Sequence, residues 1–383
     1  MVSVEYKKLG DIATYINGYA FKPEQRGSEG LPIIRIQDLT GNAYDLGYYN
    51  GDYPKKIELN DGDVLISWSA SLGVYLWNRG KALLNQHIFK VVFDKVEIDK
   101  FYFMYAVEYN LDKMSLKTHG ATMKHITKKD FDNVVIPYPD LDYQKEVSYR
   151  LTNLKGMIEK YQEQLELLDE LVKARFVEMF GDPIENPYSF PILKLGELSE
   201  LITKGASPSW QGYSYTEDST QTLFVTSENV REGYMDFSSI KYVEDAFNEK
   251  QKRSMIQKGD YLINIVGASI GRAAQFNMDC KANMNQAAAL VRIKDNTISD
   301  NYLLYYLNSD KAQMMYNSMK SDTGRANLSL QDIANLEILV PDLTLQVKFE
   351  SFVEEIDKSR SRIQKSLEAS QELFDSLMQD YFG

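Results

Sequence analysis

The sequence predicts an α+β protein made of two tandem domains of one fold, each followed by a long helix. Three observations carry that prediction. First, the chain is written twice. KLGDIATYINGYAF from Lys8 returns as KLGELSELITKGAS from Lys194, and NDGDVLISWSASLG from Asn60 returns as QKGDYLINIVGASIG from Gln257. LLNQHIFKV from Leu83 returns as NMNQAAALV from Asn283, and GATMKHITKKDFDNVVIPYPDL from Gly120 returns as GRANLSLQDIANLEILVPDL from Gly324. Second, each copy mixes strand-length apolar runs with a helix. Third, each copy closes in a long amphipathic helix ending in Phe-Gly, at Phe180-Gly181 and Phe382-Gly383. A copy of about 200 residues is far too long for a solenoid repeat, so each is a domain. The copies agree in framework and differ in loops, which suits reading two similar but unequal targets.

Within the first copy, VLISW, HIFKVVF and VVIPY are apolar runs of strand length, and Asn60-Asp61-Gly62-Asp63 is a turn. A helix is expected over Lys100 to Lys117. Its counterpart is a single helix over Asn301 to Met319. The sheet is expected to be curved and mostly antiparallel, with His87 packed inside an apolar strand.

The closing segments follow a different rule. From Val147 to Phe180, apolar residues fall at Val147, Leu151, Leu154, Ile158, Tyr161, Leu165, Leu168 and Val172. The steps alternate four and three, a heptad seam. Asp142 is placed to cap the start, and Gly181 followed by Pro183 marks the stop. The C-terminal segment repeats the seam at Phe349, Val353, Ile356, Ile363, Leu367, Phe374, Leu377 and Tyr381, interrupted at Arg360 and Ser370, with Thr344 where Asp142 stood. A narrow seam with charged flanks suits helix against helix. Antiparallel pairing of these helices predicts a pseudo-two-fold axis and a spacer of about 50 Å at ~1.5 Å per residue.

Composition narrows the function. The 383 residues are 44% hydrophobic, enough for each half to bury its own core. No apolar run approaches the ~18 residues of a membrane span, and the start, MVSVEYKKLG, has no apolar signal core. The lone Cys280 excludes an internal disulfide framework and a cysteine-rich zinc site. A cytoplasmic protein is the expectation. The net charge of −12 argues against nonspecific, charge-driven nucleic-acid binding. The stretch from Lys113 to Lys129 runs against that balance, because it carries lysines and histidines and no acid.

Catalytic signatures are missing. There is no phosphate-binding loop of the P-loop type, and Gly267 to Gly271 reads as loop geometry. Asn186-Pro187-Tyr188 lacks the second proline of the adenine-methyltransferase Asn-Pro-Pro-Tyr, so it reads as an interdomain turn. Three scattered histidines do not form a two-histidine metal site. The expectation is a chain with no catalytic residues, metal or cofactor of its own.

Two divergent copies, each with KLG near its start, Gly-Asp leading into a strand and a Gly-containing turn, Asn-Gln before a strand, and Pro-Asp-Leu leading into a heptad helix, resemble the specificity subunit of Type I restriction–modification systems. The resemblance covers essentially the whole chain and rests on the order of the motifs. It implies target recognition domains at 1–143 and 183–343, with the conserved helices at 144–182 and 344–383 forming an antiparallel coiled coil. It implies a bipartite, asymmetric double-stranded DNA target with one half-site per domain, and a place in phage defence. It further implies two modification subunits that use S-adenosylmethionine to methylate adenine N6, and restriction subunits that use ATP and Mg. Partner subunits would then supply much of the basic, phosphate-gripping surface.

Base-reading side chains are expected on loops, because strands and helices hold the fold. In the first half these are Trp68, Ser69, Ser71, His119, Thr122, Lys124 and His125. In the second they are Ser207, Ser209, Trp210, Arg272, Arg325, Asn327 and Ser329. Arg pairs guanine bidentately, and Asn or Gln pairs adenine. Lys117, Lys128, Lys129 and Lys320 are the phosphate candidates. Asn85-Gln86 and Asn285-Gln286 recur in register and so read as framework. The other function class that fits is a coiled-coil scaffold whose repeated domains bind protein. A self-contained methyltransferase or nuclease lacks its motifs.

Overall fold

The computed structural model describes residues 5–41, 46–117, 126–294, 297–319 and 327–383. The chain forms two units, Met1–Glu163 with Gln364–Gly383, and Gln164–Ile363. In the first unit the strands are β1 (Glu5–Lys8), β2 (Thr14–Asn17), β3 (Leu31–Ile34), β4 (Tyr48–Tyr49), β5 (Glu58–Leu59), β6 (Val64–Ser67), β7 (Gly73–Leu76), β8 (Ala82–Leu84), β9 (Ile88–Val92) and β10 (Val135–Tyr138). They form an antiparallel sheet β2-β9-β6-β7, a second sheet β4-β3-β8-β5, and a β1-β10 ribbon. In the second sheet β3 and β8 run parallel, a pairing that the sequence pattern did not predict.

The second unit repeats this plan. Its strands are β11 (Ile192–Lys194), β12 (Ser199–Lys204), β13 (Tyr215–Thr216), β14 (Thr222–Val225), β15 (Tyr242–Val243), β16 (Tyr261–Asn264), β17 (Ala273–Gln275), β18 (Ala282–Met284), β19 (Ala288–Ile293) and β20 (Glu337–Leu339). The sheets are β12-β19-β16-β17, β13-β15-β14-β18 and β11-β20, with β14 and β18 parallel.

Why the central strands read as unbroken apolar runs is visible in their burial. In β6, Val64 and Ile66 enter one core, facing Phe103, Ala106 and Val107 of the helix Lys100–Lys117. Leu65 enters another, with Ile33, Leu83 and Leu84 of the second sheet. Both faces are covered, so alternation disappears. In β16, Tyr261 and Ile263 face one core and Leu262 the other.

The expected helix over Asn301–Met319 is broken into Asp300–Leu307 and Asp310–Met319. The break has a cause in Asn308. Its side chain accepts from Ala273 N at 3.0 Å and donates to Ala273 O at 3.0 Å, tying the helix end to β17. Asn competes with helix in this way because its amide mimics a peptide group.

The central helix runs from Leu141 to Phe180 and the C-terminal helix from Leu343 to Phe382, each 40 residues long. The cap of the first is Asp140 rather than Asp142, since Tyr143 N donates to Asp140 Oδ1 at 2.9 Å. Asp342 plays the same part for Thr344 N at 2.8 Å. The Gln that follows each Pro-Asp-Leu is a clamp. Gln144 accepts from Asp99 N at 2.9 Å and donates to Pro139 O at 2.8 Å. Gln346 accepts from Ser299 N and donates to Pro341 O, each at 2.8 Å. Each fully buried amide thereby locks the corner between strand and long helix to the start of the domain's own helix.

Along the seam, Leu151, Leu154, Ile158, Val353 and Ile356 are buried, while Leu165, Leu168, Ile363, Leu367 and Phe374 are half-buried. In the second unit the helices run antiparallel, with Asp169 against Arg360 at 2.7 Å and Phe176 against Phe349 at 5.5 Å between ring centroids. Phe176 and Phe180 also stack with Tyr302 in that unit's main core. In the first unit Met378 and Phe382 join Val147 and Leu151 in the core that holds Tyr102 and Phe103. Each helix therefore ends as part of a core, and each such aromatic contributes roughly 1.5–3 kcal/mol by burial.

Candidate nucleic-acid interface

One end of the first antiparallel sheet gathers most of the variable loops. There β2 and β6 finish while β7 and β9 begin, as Asn17↔Phe89, Ser67↔Ile88 and Ser67↔Gly73 register shows. The turn Asn85–His87 sits at the middle of this end. On one side Gln86 N donates to Tyr19 O at 3.0 Å and Tyr19 N to Leu84 O at 2.9 Å. On the other, Trp68 N donates to His87 O at 3.4 Å, and Ile126 N donates to Trp68 O at 3.1 Å. From the second sheet, Asn85 N donates to Ile34 O at 3.1 Å, which brings up the helical turn Ile36–Leu39.

The second half builds the same end from different residues. Lys204↔Ala289, Asn264↔Ala288 and Ile263↔Ala273 are in register. Asn285 N donates to Val225 O at 3.0 Å, Ile265 N to Ala287 O at 2.9 Å, and Leu328 N to Ile265 O at 2.9 Å. Val266 and Asn327 form an antiparallel bridge. The glycine in each opening loop is obligatory. A Cβ on Gly18 would lie 1.9 Å from Asn85 O, and one on Gly205 1.7 Å from Met284 O. The Asn-Gln turns are thus framework, as their recurrence suggests.

The structure brings Trp68, Ser69 and Ser71 to this end of the first half, and Ser207, Ser209, Trp210, Arg272 and Asn327 to that of the second. Their states differ. Trp68 is half-buried and stacks on Phe89 at 5.5 Å, so it is part of the loop's wall. Ser71 is exposed, and its carbonyl accepts from the Ser67 hydroxyl. Trp210 is 81% exposed on the turn Ser209–Gln211, and the Ser207 and Ser209 hydroxyls lie 3.0 Å apart. Arg272 and Asn327 are exposed, and the Arg272 guanidinium has no partner among the described residues.

Other residues sit differently from expectation. Ser329 caps the helix Leu330–Ala334, its hydroxyl accepting from Asp332 N at 3.1 Å and donating to Asp332 Oδ2 at 2.7 Å. Those bonds take up the hydroxyl, and Ser329 is a cap rather than a free reader. Lys128 and Lys129 are both exposed, and Lys128 pairs with Asp132 at 2.9 Å. Lys117 ends its helix, and its side chain lies outside the described residues, as do His119, Thr122, Lys124, His125, Lys320 and Arg325.

His87 was read from sequence as packed and is exposed, at φ 72°, with its ring 5.0 Å from Trp68. It belongs to the turn, where left-handed backbone lifts it out of the strand. The Asn-Gln-His run between apolar stretches was the available turn signal. Gln37 and Glu228 are exposed on equivalent turns after β3 and β14, next to these sheet ends.

Near the second site, Asp236 accepts from Ser238 N at 2.9 Å and pairs with Arg231 at 3.0 Å. The Ser238 bonds and then the Arg231 guanidinium hold its carboxyl down at about 2. Arg231 is therefore paired locally, and Arg272 is an exposed cation on this loop cluster, with Lys204 exposed at the end of β12. Among the described residues no three His, Cys, Asp or Glu side chains gather as a metal site requires. No helix among them is long and apolar enough to cross a membrane.

A repeated α+β domain, with different side chains at the same sheet end of each copy and a long helix closing each, defines a tandem-domain protein of one repeated fold. The family model of the Type I restriction modification DNA specificity domain matches residues 1–168 and again 190–371, and the chain belongs to that family. It is 24% identical over 385 residues to the EcoBI specificity subunit of Escherichia coli, covering 94% of this chain and 80% of that one. It is 21% identical to the MjaVIII specificity subunit of Methanocaldococcus jannaschii, covering 94% of this chain and 89% of that one. Its fold matches the crystal structure of a Type I restriction–modification S subunit from M. genitalium, with a TM-score of 0.58 at 16% identity, covering 100% and 96% of the two chains.

Proposed function

We infer that this chain recognises DNA sequence as the specificity subunit of a Type I restriction–modification system, each half reading one part of a bipartite, asymmetric target. The observation that supports this most is the repeated sheet end. Its backbone is held the same way in both halves, by the Asn-Gln turn and the obligatory glycine, while the side chains on it differ. His87 and Ser71 stand on one, Arg272, Asn327 and Trp210 on the other. A fixed frame with exchanged donors is what reading two unequal half-sites requires.

The finer reading follows from family membership. The chain serves as the non-catalytic subunit, in the cytoplasm. Two modification subunits bring S-adenosylmethionine and methylate adenine N6, and restriction subunits bring ATP and Mg. Docking of two equal partners is supported by the repetition of the corner between strand and helix, Gln144 in one copy and Gln346 in the other.

The test is enrichment of randomised duplexes on the full chain copurified with its partner subunits. A two-part motif with a fixed gap is expected. Exchange of residues 1–143 for the matching domain of a relative changes one half of the motif only. Enrichment of no motif, with protein partners still retained, overturns DNA reading in favour of a protein-binding scaffold.

A further inference from the structure

We propose that Asn264 is a positioning residue that sets base preference in the second half by holding two reading loops with one buried amide. The inference rests on the DNA-reading role above and goes beyond it, because Asn264 does not itself reach the surface.

Asn264 is 0% exposed at the end of β16. Its Nδ2 lies 2.9 Å from Ser227 O, 3.3 Å from Val230 O and 3.2 Å from Ser269 Oγ. The first two are carbonyls of the turn after β14, and the third belongs to the loop between β16 and β17. Its main chain holds the same loop. Asn264 N donates to Arg272 O, and Gly271 N donates to Asn264 O, each at 2.9 Å. Arg272, an exposed cation of this site, therefore leaves a turn anchored on Asn264. The turn after β14 carries Glu228 and continues to the Arg231–Asp236 pair.

Among the described residues the Oδ1 of Asn264 is buried and accepts no hydrogen bond. The first half makes the contrast. Ser67 occupies the matching place in β6, and its hydroxyl reaches only Ser71 O, inside its own loop. There the turn after β3 is held by Arg35 against Asp38 at 3.1 Å and by Arg79, which donates to Asp38 O at 3.0 Å, rather than by the residue at the end of β6. At this strand position the first half has a hydroxyl that stays within its own loop, whereas the second has an amide that reaches the turn after β14 as well.

The experiment uses the full chain with its copurifying subunits, in wild-type, Asn264→Asp, Asn264→Ser and Ser269→Ala forms. Randomised duplexes are enriched on each, and hydrogen exchange reports the folding of each half. Asn264→Asp is nearly isosteric but cannot donate to the two carbonyls, and Asn264→Ser installs the residue of the first half. Both are expected to lower discrimination at one or more positions of the second half-site by about tenfold while leaving the first half-site unchanged. Ser269→Ala, which keeps the bonds to Ser227 O and Val230 O, is expected to lower it by a smaller but measurable factor, about threefold to fivefold. Affinity reduced equally for every duplex, with the motif intact, overturns the proposal. If both Asn264 variants unfold the second half, an unchanged motif in Ser269→Ala overturns it. A wild-type chain that enriches no motif removes the DNA-reading role, and the inference falls with it.

Discussion

The two halves share a frame and differ in what fills it, most plainly at Leu83 and Asn283. Both sit at the middle of matching strands, β8 and β18, and both are 0% exposed. Leu83 packs among Phe21, Ile33, Ile57 and Trp77. Asn283 instead donates to Asn248 Oδ1 at 2.8 Å and accepts from Ser254 Oγ at 2.8 Å. Asn248 continues to Thr222 Oγ1 at 2.8 Å, Thr222 to Asp245 at 2.8 Å, and Asp245 to Lys281 at 2.6 Å. A hydrophobic core accepts many arrangements of similar volume, whereas a buried polar chain is satisfied in few. At this strand position the second half therefore adds a chain of directed bonds to the apolar packing of β14 and β18, and an amide bonds in the same way at Asn264. At the matching position the first half packs by volume.

Substitutions at the shared frame should erase this difference and produce the largest effects. Gly18→Ala and Gly205→Ala each force a methyl into a neighbouring carbonyl, at 1.9 and 1.7 Å. Each is expected to destabilise its own half by roughly 4 kcal/mol or more, the range associated with overpacking and backbone strain. Hydrogen exchange of peptides from each half measures this, and equal protection in variant and wild type would count against the close approach.

Exchange of the two central residues should then separate the halves. Leu83→Asn buries an amide among apolar neighbours and is expected to cost about 4 kcal/mol, from lost packing plus an unsatisfied group. Asn283→Leu leaves Asn248 and Ser254 without their partner and is expected to cost about 2–3 kcal/mol. Denaturant unfolding followed by peptide-resolved exchange reads both. Similar losses from the two exchanges would show that the polar chain adds no specificity of geometry. The Gln clamp is the matched control. Gln144→Ala and Gln346→Ala each remove one donor and one acceptor from equivalent corners, so each is expected to cost about 2 kcal/mol in its own half.

How much of this was legible in the sequence follows the same division. Order of motifs, seam and repeat were legible because they depend on local periodicity, and Leu151 or Val353 fall where a spacing of four and three puts them. Pro-Asp-Leu followed by Gln was visible as a repeat, but not as a clamp, because Gln144 closes on Asp99, far back in the chain. The split of the helix at Asn308 depended on β17, again a distant partner. At the site, loop assignment named Arg272, Asn327 and Trp210, and all three are exposed. It misplaced His87, because an apolar run on either side of Asn-Gln-His reads as one strand until the left-handed turn is seen. It took Ser329 for a reader because capping by Ser-x-x-Asp and base contact call for the same residue types.

The smallest and most discriminating comparison lies on the surface, between Arg272 and Lys129. Arg272 is exposed at the sheet end, on the loop anchored by Asn264, with a planar fork of donors suited to a guanine edge. Lys129 is exposed on the short helix Lys128–Asp132, beside a lysine already paired with Asp132. A lone ammonium there meets phosphate as a point charge and carries no sequence information. Arg272→Ala is expected to weaken the preferred duplex by about 1–3 kcal/mol, relax one base position of the second half-site, and leave the first half-site intact. Lys129→Ala is expected to weaken all duplexes alike, by about 1 kcal/mol at low salt, and to reduce the slope of log affinity against log salt by about one unit. Titration of variant duplexes at several salt concentrations measures both. If Arg272→Ala lowers affinity equally for every duplex and flattens the salt slope, Arg272 clamps backbone as Lys129 does. The second half would then read bases with Asn327 and the turn after β14, and its buried amides would be holding a loop of different purpose.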